Sequence, residues 1–103
     1  MIFADTGAFL ALYLQRDRYH RQAGFIEAAN RVADLYTSPS IDILFSTLED
    51  EMDAVSLMKK FADKQIGFTD CVSFAIMRRQ RILTAFTFDR HFRHAGFRVI
   101  GLR

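Results

Sequence analysis

Three short segments of this chain each bring an aspartate to the point where an apolar stretch gives way to a loop or helix: Ile2-Phe3-Ala4-Asp5-Thr6, Gly67-Phe68-Thr69-Asp70 and Phe86-Thr87-Phe88-Asp89. A strand that ends in Asp aims a carboxylate at the carboxyl edge of a sheet, and that edge is where open α/β sheets bind ligands. With 103 residues, half of them hydrophobic and eleven of them Phe, the chain has material for one core, so a single domain spanning residues 1–103 is expected.

The pattern between these segments alternates strand with helix. Ile2 to Ala4 reads as a short buried strand, and Thr6 or Asp5 then caps a helix from about Gly7 to Leu14. A second helix starts at Asp17, with Tyr19, Ala23, Ile26 and Asn30 on one side, and ends near Val32 or Ala33. Leu35 to Thr37 and Ile41 to Phe45 read as strands, separated by Ser38-Pro39-Ser40. Ser46 or Thr47 caps a further helix, with Glu49 or Asp50 at the capping-box position. Acids crowd its first turns and Lys59, Lys60 and Lys64 its end, an order that complements the helix dipole and marks solvated helix charges. From Thr69 an apolar-belted helix runs to about Gln80, followed by a strand at Ala85–Phe88, a helical turn at Asp89–Ala95 and a last strand at Phe97–Ile100.

Strands alternating with helices imply an α/β fold, a three-layer sandwich with a central, mostly parallel sheet. One junction conflicts with it. No crossover helix fits between Tyr36 and Ile43, and parallel neighbours need one, so those segments must form a hairpin, one long extended stretch, or a pairing between two chains.

Charge is partitioned along the chain. Residues 78–103 hold seven arginines against the single Asp89, whereas residues 1–77 hold seven cations against eleven acids. Arginine suits bidentate phosphate contact, so Arg78, Arg79, Arg90 and Arg93 are candidate RNA contacts, the other reading being a solvated basic face or a site for an acidic partner. No apolar run approaches membrane-spanning length and no leader segment is evident, so a cytoplasmic location is expected. Cys71 is the single cysteine, which excludes a disulfide framework or a cysteine zinc site; in an apolar helix it reads as a small hydrophobe. His20, His91 and His94 lack zinc-site spacing and read as surface residues. Phe86 and Phe88, at period two in a strand, read as core, and Met52, Met58 and Met77 as helical core or dimer contacts.

Asp5, Asp70 and Asp89 would repel one another if they met without a cation. Converged at one sheet edge they would hold Mg²⁺ or Mn²⁺ through oxygen, with Thr6 and Thr69 in supporting positions. Beside a basic surface the chemistry of such a site is metal-assisted hydrolysis of a phosphodiester.

These residues resemble a known family. Ile2 to Leu12 is similar to the opening of PIN-domain proteins, as is Asp17-Arg18-Tyr19-His20; Ala62 to Ala75 resembles the family's third acidic motif and Ala85 to Phe92 its fourth. The resemblance covers about residues 1–30 and 40–103 and implies a shortened PIN fold of the VapC toxin type. It further implies an endoribonuclease that uses Mg²⁺ or Mn²⁺ held by Asp5, Asp70 and Asp89, dimerises, and is blocked by an antitoxin protein. Two departures stand out. No residue matches the family's second acidic ligand, a Glu on a helix after the second strand, and the Ser that often follows the first Asp-Thr is Gly7. The alternative function is therefore a catalytically impaired, shortened module that binds RNA or a protein partner; a third reading is a shortened derivative of a longer nuclease. Apolar surface left by the missing helices implies a homo-oligomer.

Overall fold

A computed structural model describes residues 1–5 and 21–101. By its internal contacts the chain divides into two compact units, residues 1–3 with 45–103 and residues 4–44.

The first unit is built on a three-stranded parallel sheet in the order β1 (Ile2–Ala4), β2 (Thr84–Phe86), β3 (Arg98–Ile100). Thr84, Ala85 and Phe86 pair with Arg98, Val99 and Ile100, and the ladder is prolonged by Arg98 N–H to the Leu83 carbonyl (2.9 Å) and Thr87 N–H to the Ile100 carbonyl (3.0 Å). Ala85 of the central strand is fully buried. β1 is a strand as expected but not a buried one: Ile2 and Ala4 are exposed and only Phe3 is half-buried, because an edge strand has a single neighbour.

Two helices form the core of this unit, α2 (Leu48–Lys60) and α3 (Phe68–Arg79). Phe74 of α3 is completely buried. Its ring meets Phe92 edge-on at 4.9 Å, Phe97 at 5.6 Å and Phe61 edge-on at 6.3 Å, and Phe92 stacks in turn on Phe3 at 6.0 Å. Offset and edge-on geometries of this kind add about 0.5–1.5 kcal/mol per pair beyond area burial. Met77 and Cys71 are also fully buried, whereas Met52 and Met58 are exposed. Phe86 is half-buried and Phe88 exposed: the strand stops at Phe86, so the expected period-two core placement ends there.

The capping box expected for α2 is present. Thr47 Oγ1 accepts the Asp50 N–H (3.1 Å) and Asp50 Oδ2 accepts the Thr47 N–H (2.9 Å). The same carboxylate, 1 % exposed, takes both donors of Arg79 at 2.9 Å, Nε on Oδ1 and Nη2 on Oδ2. Asp50 is thus a buried ion-pair partner rather than the solvated helix charge expected of it. Gly67 rather than Thr69 stands at the N-cap of α3, and no side chain caps that end. The far end closes as a Schellman motif: Ile82 N–H reaches the Met77 carbonyl (2.8 Å) and Arg81 N–H the Arg78 carbonyl (3.1 Å). This places Arg81 at φ 56°, where glycine is the usual residue. A one-turn helix, α4 (His91–His94), links β2 to β3. Gly101 at φ 107° ends the sheet where an added Cβ would lie 2.9 Å from the Thr87 carbonyl.

In the second unit α1 (Arg21–Thr37) overturns two expectations, a helix end near Val32 or Ala33 and a strand at Leu35 to Thr37. It runs through Leu35-Tyr36-Thr37, which is helix and not strand. Ala28 is buried and Val32 and Leu35 half-buried, a helical stripe that ranks above the strand propensity of the last three residues. Arg31 bridges Glu27 and Asp34 at 3.1 and 3.3 Å on the outer face. Ser38 to Ser40 turns, with Ile41 N–H on the Ser38 carbonyl (3.4 Å), and residues 41–47 have no ladder partner, so Ile41–Phe45 is not a strand either. With neither segment a strand, the absent crossover helix is no longer required. The helix expected over Gly7–Leu14 and the helix start at Asp17 lie outside the described residues.

Arg79 holds the Asp50 carboxyl below its ordinary range, the Thr47 backbone and hydroxyl adding to the effect against the cost of burial. An acid with a depressed folded-state pKa contributes stability above its unfolded value, and that stability is lost as pH falls through the folded one. Asp50→Asn should therefore lower the unfolding free energy near neutral pH by about 2–4 kcal/mol, and the gap to the native chain should narrow only as pH falls below the ordinary Asp value of 3.8, read by urea unfolding from neutral to acid pH. Arg81→Gly should raise stability by about 0.5–1 kcal/mol by relieving the left-handed backbone, read as an upward shift of the same urea midpoint.

Candidate metal centre

Local chemistry builds the site from the carboxyl end of β2 onward. Thr87, fully buried, accepts the Asp89 N–H on Oγ1 (3.1 Å), and Asp89 Oδ1 accepts the His91 N–H (2.9 Å). Two successive side-chain-to-backbone turns thus convert the strand into α4. They fix the Asp89 carboxylate against the His91 amide at the start of α4. Asp70 comes from the first turn of α3, whose opposite end is tied to Asp50.

His91 Nδ1 lies 3.2 Å from Asp70 Oδ2 and 3.3 Å from Asp89 Oδ1. Each of the three side chains is about one-third exposed, so the cluster is open to solvent while backed by the core. Among the described residues, Asp70, Asp89 and His91 form the one group of this kind whose donor atoms all lie within 4.8 Å of one another. Two carboxylates and an imidazole fit a divalent cation: the oxygens neutralise it, and the nitrogen is a ligand of borderline metals. Burial, and then the neighbouring Asp89, push the Asp70 carboxyl above its usual range, while His91 pulls it down. The site is therefore electrostatically uncomfortable when both acids are ionised.

The sequence-derived candidates divide as follows. Asp70 and Asp89 come together. Asp5 follows β1 and belongs to the unit of residues 4–44. Thr6 lies outside the described residues. Thr69 is exposed in the first turn of α3, and its carbonyl accepts the Ser73 hydroxyl (3.4 Å). Arg90 and Arg93 are exposed beside the cluster in sequence, at the start and within α4. Arg78 is exposed and lines a cleft of about 460 Å³ between α2 and α3 with Glu49, Asp53 and Ser56. Arg79 is already engaged by Asp50.

His91 and Thr87 are the residues that sequence reading missed. His91 is a half-buried member of the cluster, not the surface residue expected. Its signal was the Asp-x-His spacing at a strand end, where an aspartate folding back on the amide two residues later carries the histidine with it. Cys71 is buried with its thiol on the Ile66 carbonyl at 4.0 Å, and burial together with Asp70 raises its pKa, so it is held as the unreactive thiol.

No protein-family model matches the chain, and no curated protein matches it. Among solved structures it is similar to VapC20 of Mycobacterium tuberculosis, a sarcin–ricin loop cleaving toxin. The two are 26% identical with a TM-score of 0.61, over 93% of this chain and 70% of that one.

Ligand binding to the folded state adds stability as the logarithm of saturation, about 2.7 kcal/mol at a hundredfold excess over Kd. Mn²⁺ or Mg²⁺ should accordingly raise the thermal midpoint of the native chain and leave that of an Asp70→Asn, Asp89→Asn variant unmoved. Without metal the sign for Asp70 is opposite to that for Asp50. Its raised pKa disfavours the ionised folded form, so Asp70→Asn should leave the metal-free protein at least as stable as the native chain at neutral pH, read by the same melts.

Proposed function

We propose, for a chain whose fold is a shortened VapC-like PIN domain, that it is a metal-dependent endoribonuclease hydrolysing RNA phosphodiesters. The observation that carries this reading is the convergence of Asp70 and Asp89 at the carboxyl end of a parallel sheet, in a fold shared with a toxin that cleaves the sarcin–ricin loop. Asp70 and Asp89 would hold Mg²⁺ or Mn²⁺. The cation would supply Lewis-acid polarisation of the phosphoryl group and neutralise charge developing on it.

The chain's own residues do the positioning. Thr87 Oγ1 holds the Asp89 backbone N–H, and the His91 amide holds the Asp89 carboxylate. Burial, and then the neighbouring Asp89, raise the Asp70 pKa, so its ionised form is disfavoured in the metal-free site. Arg90 and Arg93, exposed next to Asp89, are suited to hold the RNA backbone by paired hydrogen bonds to phosphate oxygens. Arg78 is a more distant candidate, and Arg79 is spent on Asp50. By the same resemblance the chain acts on a structured or single-stranded RNA, pairs with a second copy, and is restrained by an antitoxin protein. Among the described residues no helix is long and apolar enough to cross a membrane.

The test is cleavage of two fluorescent RNAs in Mn²⁺, one an unstructured strand and one a sarcin–ricin loop hairpin. The native chain should cut at least one. Asp70→Asn and Asp89→Asn should each lower the rate by at least about a hundredfold, the loss of a group that stabilises transition-state charge. Asp5→Asn, run alongside, decides whether the first acidic motif shares the role. A folded native chain that cuts neither RNA would refute the proposal.

A further inference from the structure

We infer that His91 is itself a metal ligand through Nδ1, giving this site a mixed oxygen–nitrogen donor set that prefers imidazole-binding divalent cations over Mg²⁺. The inference rests on the metal-site reading above and refines it.

Nδ1 of His91 lies almost equally far from two carboxylates on different elements, 3.2 Å from Asp70 Oδ2 and 3.3 Å from Asp89 Oδ1. Without a metal, a proton bridges the nitrogen and Asp70 at that distance. A cation in that proton's place would meet the nitrogen lone pair and both carboxylates at once. The edges also fit. Ligands at about 2.1–2.2 Å in cis positions of an octahedron stand about 3.0 Å apart, within a few tenths of an ångström of both separations.

The backbone that carries the ring is held before any cation arrives. The His91 amide is bonded to Asp89 Oδ1 at 2.9 Å, and the same short segment places Asp89 from Thr87. Charge closes as well: two carboxylates and a neutral imidazole leave a divalent ion with no net charge to compensate. Oxygen donors alone suit Mg²⁺, whose tight octahedron and reluctant dehydration favour carboxylate and water; an imidazole in the set moves preference toward Mn²⁺ and further toward Co²⁺, Ni²⁺ and Zn²⁺.

Mn²⁺ bound to the full chain, observed by pulsed electron paramagnetic resonance, reports the donor directly, because a bound imidazole imprints a ¹⁴N coupling that carboxylates and water do not. The native chain should show that coupling, and labelling with ¹⁵N-histidine should replace it by the ¹⁵N pattern. His91→Gln should abolish it while His94→Gln keeps it. In calorimetry His91→Gln should weaken Mn²⁺ by at least about tenfold, the scale on which even outer partners of a metal site act, and change Mg²⁺ much less, so that the Mn²⁺/Mg²⁺ preference collapses. The labelled native chain decides the point even if a variant proves unstable. Mn²⁺ bound without nitrogen coupling, or coupling that survives in His91→Gln, would overturn the inference and leave the metal site intact. No Mn²⁺ bound by the native chain, with an Asp70→Asn, Asp89→Asn control giving the same blank, would overturn both.

Discussion

The Asp50–Arg79 pair decides where α3 can lie. One carboxylate closes the capping box that starts α2 and receives both donors of an arginine from the last turn of α3. A buried acid with a planar two-point partner leaves the helices little freedom to slide, since any slip strips a charge of its hydrogen bonds in a place water reaches poorly. Between those ends Phe74 fills the space against Phe61, Phe92 and Phe97. The polar clamp sets the register and the aromatic core supplies the bulk of the cohesion. The consequence is felt at the other end of α3, where Asp70 has to meet a carboxylate and an imidazole carried by a different element.

Two acids in one small molecule therefore have opposite electrostatic fates. Asp50 is more deeply buried, yet its pKa falls because three donors face it; Asp70 is more exposed, yet its pKa rises because desolvation and a second carboxylate outweigh one histidine. Burial alone predicts neither. What separates them, among the described residues, is whether an arginine faces the carboxylate. Asp50 has Arg79. Among the described residues the Asp70 and Asp89 pair meets no Lys or Arg, only His91, and carboxyls perturbed in this way cluster at functional sites.

Much of this was legible in the residues. The parallel α/β class, the capping box at Thr47 and Asp50, the apolar belt of α3 and the encounter of Asp70 with Asp89 all follow from patterns a few residues long. The failures have physical causes. Leu35-Tyr36-Thr37 has strand-like composition, but Leu35 continues the stripe begun by Ala28 and Val32, and a helical period carried through Leu35 outweighs propensity over three residues. Ile41 to Phe45 alternates as a strand does, yet alternation cannot create the partner a strand requires. Arg79 looked like one more cation of a basic tail because an ion pair across 29 residues leaves no local mark. His91 was read from its lack of zinc-site spacing, whereas its place is dictated by the turn that Asp89 makes.

The segment that carries most of the site is the short crossover between β2 and β3. Thr87, Asp89 and His91 are neighbours in sequence, so their mutual arrangement needs almost no loop to be closed and can form as soon as the strand does. Asp70 is the donor that must be delivered from outside, by a helix whose position depends on the core and on the Asp50 clamp. Half of the centre is thus a local property of the chain and half a tertiary one. A cation bridging the two halves would act as a removable staple across the stretch from Asp70 to Asp89. It would oppose local opening of that stretch, and its loss would be felt there first, before the aromatic core yields.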